Sequence, residues 1–171
     1  VILCLPPMPR VDLLTAGQVF EDLVLAGLPR LPRPGEELRT NRFVHAAGGG
    51  AVITAVAAAR LGLRCAVAGP LGPAAAALLR RERIAAVELR RPGEPYAVTV
   101  ALSTRRDRSF VTFDGVNDRL EPRLCAALRR LRARHVHFAF PPARCARWIA
   151  VVARLRRRGV TTSWDFGWNP S

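Results

Sequence analysis

A run of three glycines, Gly48-Gly49-Gly50, opens a stretch of good helix formers that ends at Leu61-Gly62, and this is the part of the chain best suited to chemistry. Glycine carries no Cβ, so the backbone can take positive φ there and a ligand can approach the main chain closely. The helix predicted over 51–61 then points its unpaired N–H groups and positive dipole end at whatever the glycines admit. Phosphate, carboxylate or sugar hydroxyl oxygen would be attracted there. A turn that merely joins two packed elements is the competing reading of the same residues.

Two common glycine motifs are excluded by inspection. A dinucleotide fingerprint would need glycine at 48, 50 and 53, but position 53 is Ile, which would crowd the helix-to-strand contact. A Walker-type phosphate loop needs a lysine, and the chain has none. His135 and His137 stand two apart, on one face of a strand, as in some metal sites, yet no third ligand is evident and no metal is assigned. His45, just before the glycine run, reads as a lid or hinge residue and not as a ligand. Cys4, Cys65, Cys125 and Cys145 lack a CxxC spacing, so reduced and mostly buried thiols are expected, with neither zinc nor a disulfide framework.

The elements around these residues alternate. Apolar patterning predicts strands at 13–19 and 23–28, a loop through Leu31-Pro-Arg-Pro-Gly35 and a returning strand at 37–44. The glycine helix follows, enclosed by protein on nearly every face. A strand at 64–68 and a helix at 74–82 come next, with Pro73 in the first helical position. Strands at 86–89, 96–103 and 109–113 follow, the last two joined as an antiparallel hairpin by the charged turn 105–108. A helix at 121–132, a strand at 136–140, a helix at 143–158 closed by Gly159, and a strand at 160–164 ending on Asp165 complete the pattern. Phe110, Phe113, Phe138 and Phe140 read as core-facing strand residues.

This alternation implies an α/β fold: a Rossmann-like, mostly parallel sheet with helices on both faces, plus a small antiparallel β lid. Ligands in such sheets bind beyond the carboxyl ends of the strands. Asp22, the glycines, Gly69 and Asp165 all fall there, although Asp22 also suits a turn cap and Asp165 a strand terminus.

At 171 residues, half of them hydrophobic, the chain forms one domain, 1–171, with a substantial core. No apolar run reaches the length of a membrane span, so no membrane is involved and a cytoplasmic location is expected. Met8 would open such a protein naturally, which marks residues 1–7 as an upstream extension from a misplaced start. The net charge of +14 comes from arginine alone. The runs at 129–134 and 154–158 fit solvated faces of amphipathic helices, and without interleaved aromatics nucleic acid is disfavoured as a partner.

Taken together, residues 17–22, Pro34-Gly-Glu36, Gly48-Gly49 with its helix, Arg60-Leu-Gly62, Ala68-Gly69 and the late Asp165-Phe-Gly-Trp-Asn169-Pro resemble the ribokinase-like sugar kinases, the PfkB carbohydrate kinase family. The likeness runs from about Leu13 to the end. It implies phosphoryl transfer from ATP, with Mg, to a hydroxymethyl group of a sugar or nucleoside, beneath a β lid built from strands within 23–45 and 96–114 that admits a homodimer. By resemblance the substrate would be held by Asp22, Gly48, Gly49, Asp165 and Asn169. Ile53 replaces an Asn that usually touches the sugar, and Pro70 replaces an acidic residue. The family's Gly-Ala-Gly-Asp turn, which carries the general base and much of the ATP site, is not in these residues, so the chain alone is expected to be inactive and its activity truncated to substrate binding. A non-catalytic sugar-binding remnant is the alternative from another class, and an arginine-rich nucleic-acid binder is a third.

Overall fold

The computed structural model describes residues 10–167. The misplaced-start reading of 1–7, Cys4 and Asn169 therefore lie outside the described residues. Five strands, β1 (Val11–Gly17), β4 (Cys65–Gly69), β5 (Ala85–Glu88), β8 (Ala133–Ala139) and β9 (Thr161–Asp165), form one sheet in the order β5-β4-β1-β8-β9. All four of its pairings are parallel. The remaining strands, β2 (Phe20–Leu28), β3 (Arg42–Gly48), β6 (Ala97–Thr104) and β7 (Arg108–Phe113), form a second sheet in the order β3-β2-β6-β7. Its outer pairs are antiparallel and its central pair, β2 with β6, is parallel.

Parallel strands need crossovers, and helices supply them on both faces. Helices α1 (Gly50–Arg60) and α2 (Pro73–Arg81) bury Val52, Ala55, Ala75 and Leu79 against Val67 and Leu13. Helices α3 (Leu120–Ala127) and α4 (Cys145–Arg157) bury Leu124, Trp148 and Val151 against Leu14, Val136 and Phe138 on the other face. The rings of Phe138, Phe140, Trp148 and Trp164 pack at centroid distances of 4.5 to 6.2 Å, and Trp148 Nε1 donates to Glu121 Oε2 at 2.7 Å. Among the described residues, no helix is long and apolar enough to cross a membrane.

Several sequence expectations shift. The strand expected at 37–44 lies at Arg42–Gly48, so it runs into the glycines instead of stopping short of them. Helix α1 is buried on one side only, with Ile53 61% exposed and Ala57 and Arg60 also facing out; an Ala-rich sequence does not reveal which stripe meets the sheet. Phe110 and Phe113 are exposed, not core-facing, since period-2 alternation does not say whether either face of a small sheet is covered. Helix α3 ends at Ala127, so the arginines of 129–134 fall beyond it in a turn and on β8, and only Arg154, Arg156 and Arg157 of the second run lie on a helix, in the last turn of α4. Cys65 is buried, but Cys145 is exposed.

Candidate functional site

The order of the main sheet reverses beside β1: later strands build outward through β4 and β5 on one side and through β8 and β9 on the other. Crossovers that diverge in this way leave a crevice at the carboxyl ends of the strands. A cleft of about 260 Å³ opens there, lined by Gln18, Phe20, Gly50, Thr99, Thr112 and Asp165 among others. This is slightly below the roughly 300–1,000 Å³ of drug-sized pockets, a size for a small molecule.

The cleft has a floor and a roof. The floor comes from the ends of β8 and β9, Ala139 and Asp165, and from Gly50 at the start of α1. The roof comes from the second sheet. Asp22 on β2 pairs with Thr99 on β6, which pairs with Thr112 on β7. Residues paired across adjacent strands project from the same face, so Asp22, Thr99 and Thr112 form one polar row. The two threonine hydroxyls lie 3.1 Å apart.

Asp22 itself sits inside β2 and not in a turn, half-buried and in register with the lining residue Thr99, but it is not itself part of the cleft lining, nor are Gly48 and Gly49. Its carboxylate accepts no hydrogen bond from the described residues. Burial, aided by the neighbouring charge of Glu21, pushes its pKa up. Gly48 is what makes room for it: a Cβ there would stand 2.0 Å from Asp22 Oδ2. Gly49 is the N-cap of α1 with φ 96°, and its Cβ would stand 2.4 Å from the Gln18 carbonyl oxygen. No side chain caps α1, so its N-terminus is open toward the cleft.

Asp165 closes the opposite side. Its Oδ1 accepts the Gly167 N–H at 2.8 Å, and a Cβ on Gly50 would lie 3.2 Å from its Oδ2. Two carboxylates thus reach the glycine run from either end, Asp22 at Gly48 and Asp165 at Gly50. Gly69, by contrast, serves packing, since a Cβ there would collide with Val19 and the Gly17 carbonyl. Ile53 is exposed on α1 and is not part of the cleft lining.

Sequence reasoning missed Thr99, Thr112, Gln18, Phe20 and Glu21. Alternation within 97–104 and 108–113 could have flagged the threonines, but only the strand register aligns them with Asp22. The histidine pair forms an internal network on one face of β8 and β9: His135 Nε2 and His137 Nδ1 both lie within 2.8 Å of Ser163 Oγ, and His135 Nδ1 lies 2.8 Å from Thr161 Oγ1. Among the described residues, no group of three or more His, Cys, Asp or Glu could hold a metal ion.

A doubly wound parallel sheet roofed by a four-stranded lid, with a carboxylate on each side of a glycine turn, defines a ribokinase-like α/β protein. Residues 14–166 match the pfkB family carbohydrate kinases, and the chain belongs to that family. It is similar in fold to the ribokinase of Giardia lamblia, with a TM-score of 0.74 at 17% identity over 95% of this chain and 53% of that one. It is likewise similar to phosphofructokinase-2 of Escherichia coli in complex with substrates and products, with a TM-score of 0.73 at 17% identity over 92% and 54%. A ribokinase of Arabidopsis thaliana solved with ribose and ATP gives a TM-score of 0.64 at 18% identity over 95% and 55%. The chain therefore spans about half the length of these relatives. No curated protein sequence matches it.

Proposed function

We propose that the cleft binds a sugar or nucleoside, and that this chain supplies the substrate side of a carbohydrate kinase transferring a phosphoryl group from ATP to a hydroxymethyl group. The observation that carries this reading is the row of Asp22, Thr99 and Thr112 in strand register, whose two threonines line the cleft together with Asp165. A sugar hydroxyl both donates and accepts, a carboxylate accepts in pairs, and a threonine hydroxyl does either, so the row matches a polyhydroxy ligand. Half-buried and unpaired, the Asp22 carboxylate keeps its hydrogen-bonding capacity for a ligand. The relatives solved with ribose and ATP and with substrates of phosphofructokinase-2 favour a sugar.

The lid strands would exclude water when the ligand is seated, which matters where ATP must not be hydrolysed. The described residues offer neither a three-donor metal cluster nor a lysine-bearing phosphate loop, so they do not fit Mg or the phosphates of ATP as a complete site. Asp165 and the open N-terminus of α1 face the cleft, and the general base lies elsewhere on this reading.

Calorimetry with D-ribose, fructose 6-phosphate and adenosine tests the proposal. We expect one of them to bind, and Asp22→Asn to weaken that ligand by about 10- to 150-fold, the equivalent of losing hydrogen bonds to a charged group worth about 1.5–3 kcal/mol. Binding without ATP turnover fits a chain limited to the substrate side. Equal affinity of Asp22→Asn, or no binding by any of the three, would count against the reading.

A further inference from the structure

One carboxylate in the lid does no work in the cleft. Glu21 precedes Asp22 on β2 and is only 2% exposed. Side chains alternate across a strand, so Glu21 and Asp22 leave opposite faces of the lid. Asp22 turns to Gly48, while Glu21 turns to the N-terminus of α2. The backbone N–H of Ala74 donates to Glu21 Oε1 at 3.0 Å and to Oε2 at 3.1 Å, and that of Ala75 donates to Oε1 at 3.3 Å. His45 Nε2 on the neighbouring lid strand β3 lies 2.6 Å from Oε2.

The first turn of α2 has no other way to satisfy these donors. Its N-cap, Gly72, has no side chain to offer, Pro73 has no N–H, and the Ala76 N–H already bonds the Gly72 carbonyl at 3.0 Å. Ala74 and Ala75 are the remaining orphans, and Glu21 takes both. The carboxylate also meets the positive end of the helix dipole, which strengthens such charge-assisted bonds. Gly72 is shaped for this contact, because a Cβ there would stand 2.2 Å from Glu21 Oε1.

We propose that Glu21 is the positioning residue of the cleft: by capping α2 from the lid it locks β2 to the main layer in the one orientation that turns Asp22 toward the ligand. The proposal rests on the reading of the cleft as a substrate site. It extends that reading, because Glu21 touches no part of the cleft and acts only through its neighbour. Gly72 and His45 are its partners in the same lock.

The test compares the full chain with Glu21→Ala, Glu21→Gln, Asp22→Asn and the Glu21→Ala/Asp22→Asn double variant. Amide hydrogen exchange is the ligand-free readout. Glu21→Ala should speed exchange at Ala74, Ala75 and residues 20–24 by at least about tenfold, leaving β1 and β4 protected, with Glu21→Gln between it and the parent because one acceptor oxygen remains. Unchanged exchange in β2, or an equal loss of protection everywhere, would overturn the lock. For the ligand that the parent binds among D-ribose, fructose 6-phosphate and adenosine, Glu21→Ala should cost at least about tenfold in affinity. The double variant should be no weaker than Asp22→Asn, since residues acting through one another are not additive. Multiplying losses would make Glu21 a mere stabiliser and refute its positioning role. Should Asp22→Asn bind as the parent does, the substrate reading fails, and the exchange data still decide whether the lock exists. If Glu21→Ala does not fold, Glu21→Gln and Gly72→Ala strain the same contact from its two sides and are judged by the same exchange pattern.

Discussion

Alanine at Gly48 and at Gly49 should have opposite consequences, although the residues are adjacent. At Gly49 the backbone has φ 96°, a region that L side chains rarely adopt, at a cost of about 1–3 kcal/mol. The new Cβ would also stand 2.4 Å from the Gln18 carbonyl oxygen, main chain that can yield only by moving the β1–β2 connection. Overpacking of this kind costs about 1–3 kcal/mol more. The sum, about 2–6 kcal/mol, is a large share of the ~5–15 kcal/mol that holds a domain together. At about 2–4 °C per kcal/mol for a chain of this size, Gly49→Ala should lower the melting temperature by roughly 4–24 °C. At Gly48 the backbone is not in the positive-φ region, and the atoms in the way, Asp22 Oδ2 at 2.0 Å and Cγ at 2.6 Å, belong to a side chain that can rotate aside. An off-rotamer shift costs about 0.5–1.5 kcal/mol, so melting should change by only a few degrees. The rotation, however, takes the carboxylate out of line with Thr99 and Thr112, and binding of the sugar that the parent accepts should fall about 10- to 150-fold. Thermal melts followed by circular dichroism and calorimetry on both variants check this. A Gly49→Ala that melts like the parent, or a Gly48→Ala that binds like it, would refute the reasoning.

Two pH-dependent outcomes follow from the carboxylates. Asp22 has its pKa raised in the fold by burial and by Glu21, so its contribution favours folding at acid pH and is lost as pH rises through the folded value. Asp22→Asn should therefore melt higher than the parent at pH 7 and lose that advantage at pH 3, a gain in stability at the expense of binding; equal melting at both would contradict it. Glu94 behaves in the other sense. The Arg123 guanidinium, donating at 2.6 Å to each carboxylate oxygen, and the Arg91 N–H hold its pKa down to about 2. Its stabilisation is present above the ordinary glutamate range and is lost as pH falls toward 2, so Arg123→Met should destabilise at pH 7 and make little difference at pH 2. A destabilisation that is the same at both pH values would point to packing of the arginine stem instead.

Much of this molecule was legible because its local signals agree with its fold. Pro73 at the first turn of α2, Gly62 and Gly159 with φ of 92° and 72° just past α1 and α4, and the charged hairpin of β6 and β7 all follow from residue type. The parallel sheet with helices on both faces follows from alternation. Orientation and register were not legible, because they are settled between segments far apart in the chain. Whether Phe110 is buried depends on what covers the lid, and composition does not say. Thr99 and Thr112 acquire meaning only when β6 pairs with β2 so that Asp22 stands beside Thr99.

Glu21 shows why such residues escape a reading along the chain. In sequence it is one more acid beside the more conspicuous Asp22, and nothing in Phe20-Glu-Asp22 says which of the two faces the ligand. The answer lies 53 residues away, where Gly72-Pro73 leaves a helix start with two unsatisfied donors and room for a carboxylate. An uncapped helix has to find its acceptors somewhere, and a buried acid has to find its donors. Pairing these two deficits removes both, fixes which face of β2 looks inward, and leaves the second acid free for the cleft. The unsatisfied ends of elements therefore carry long-range information that residue type alone does not.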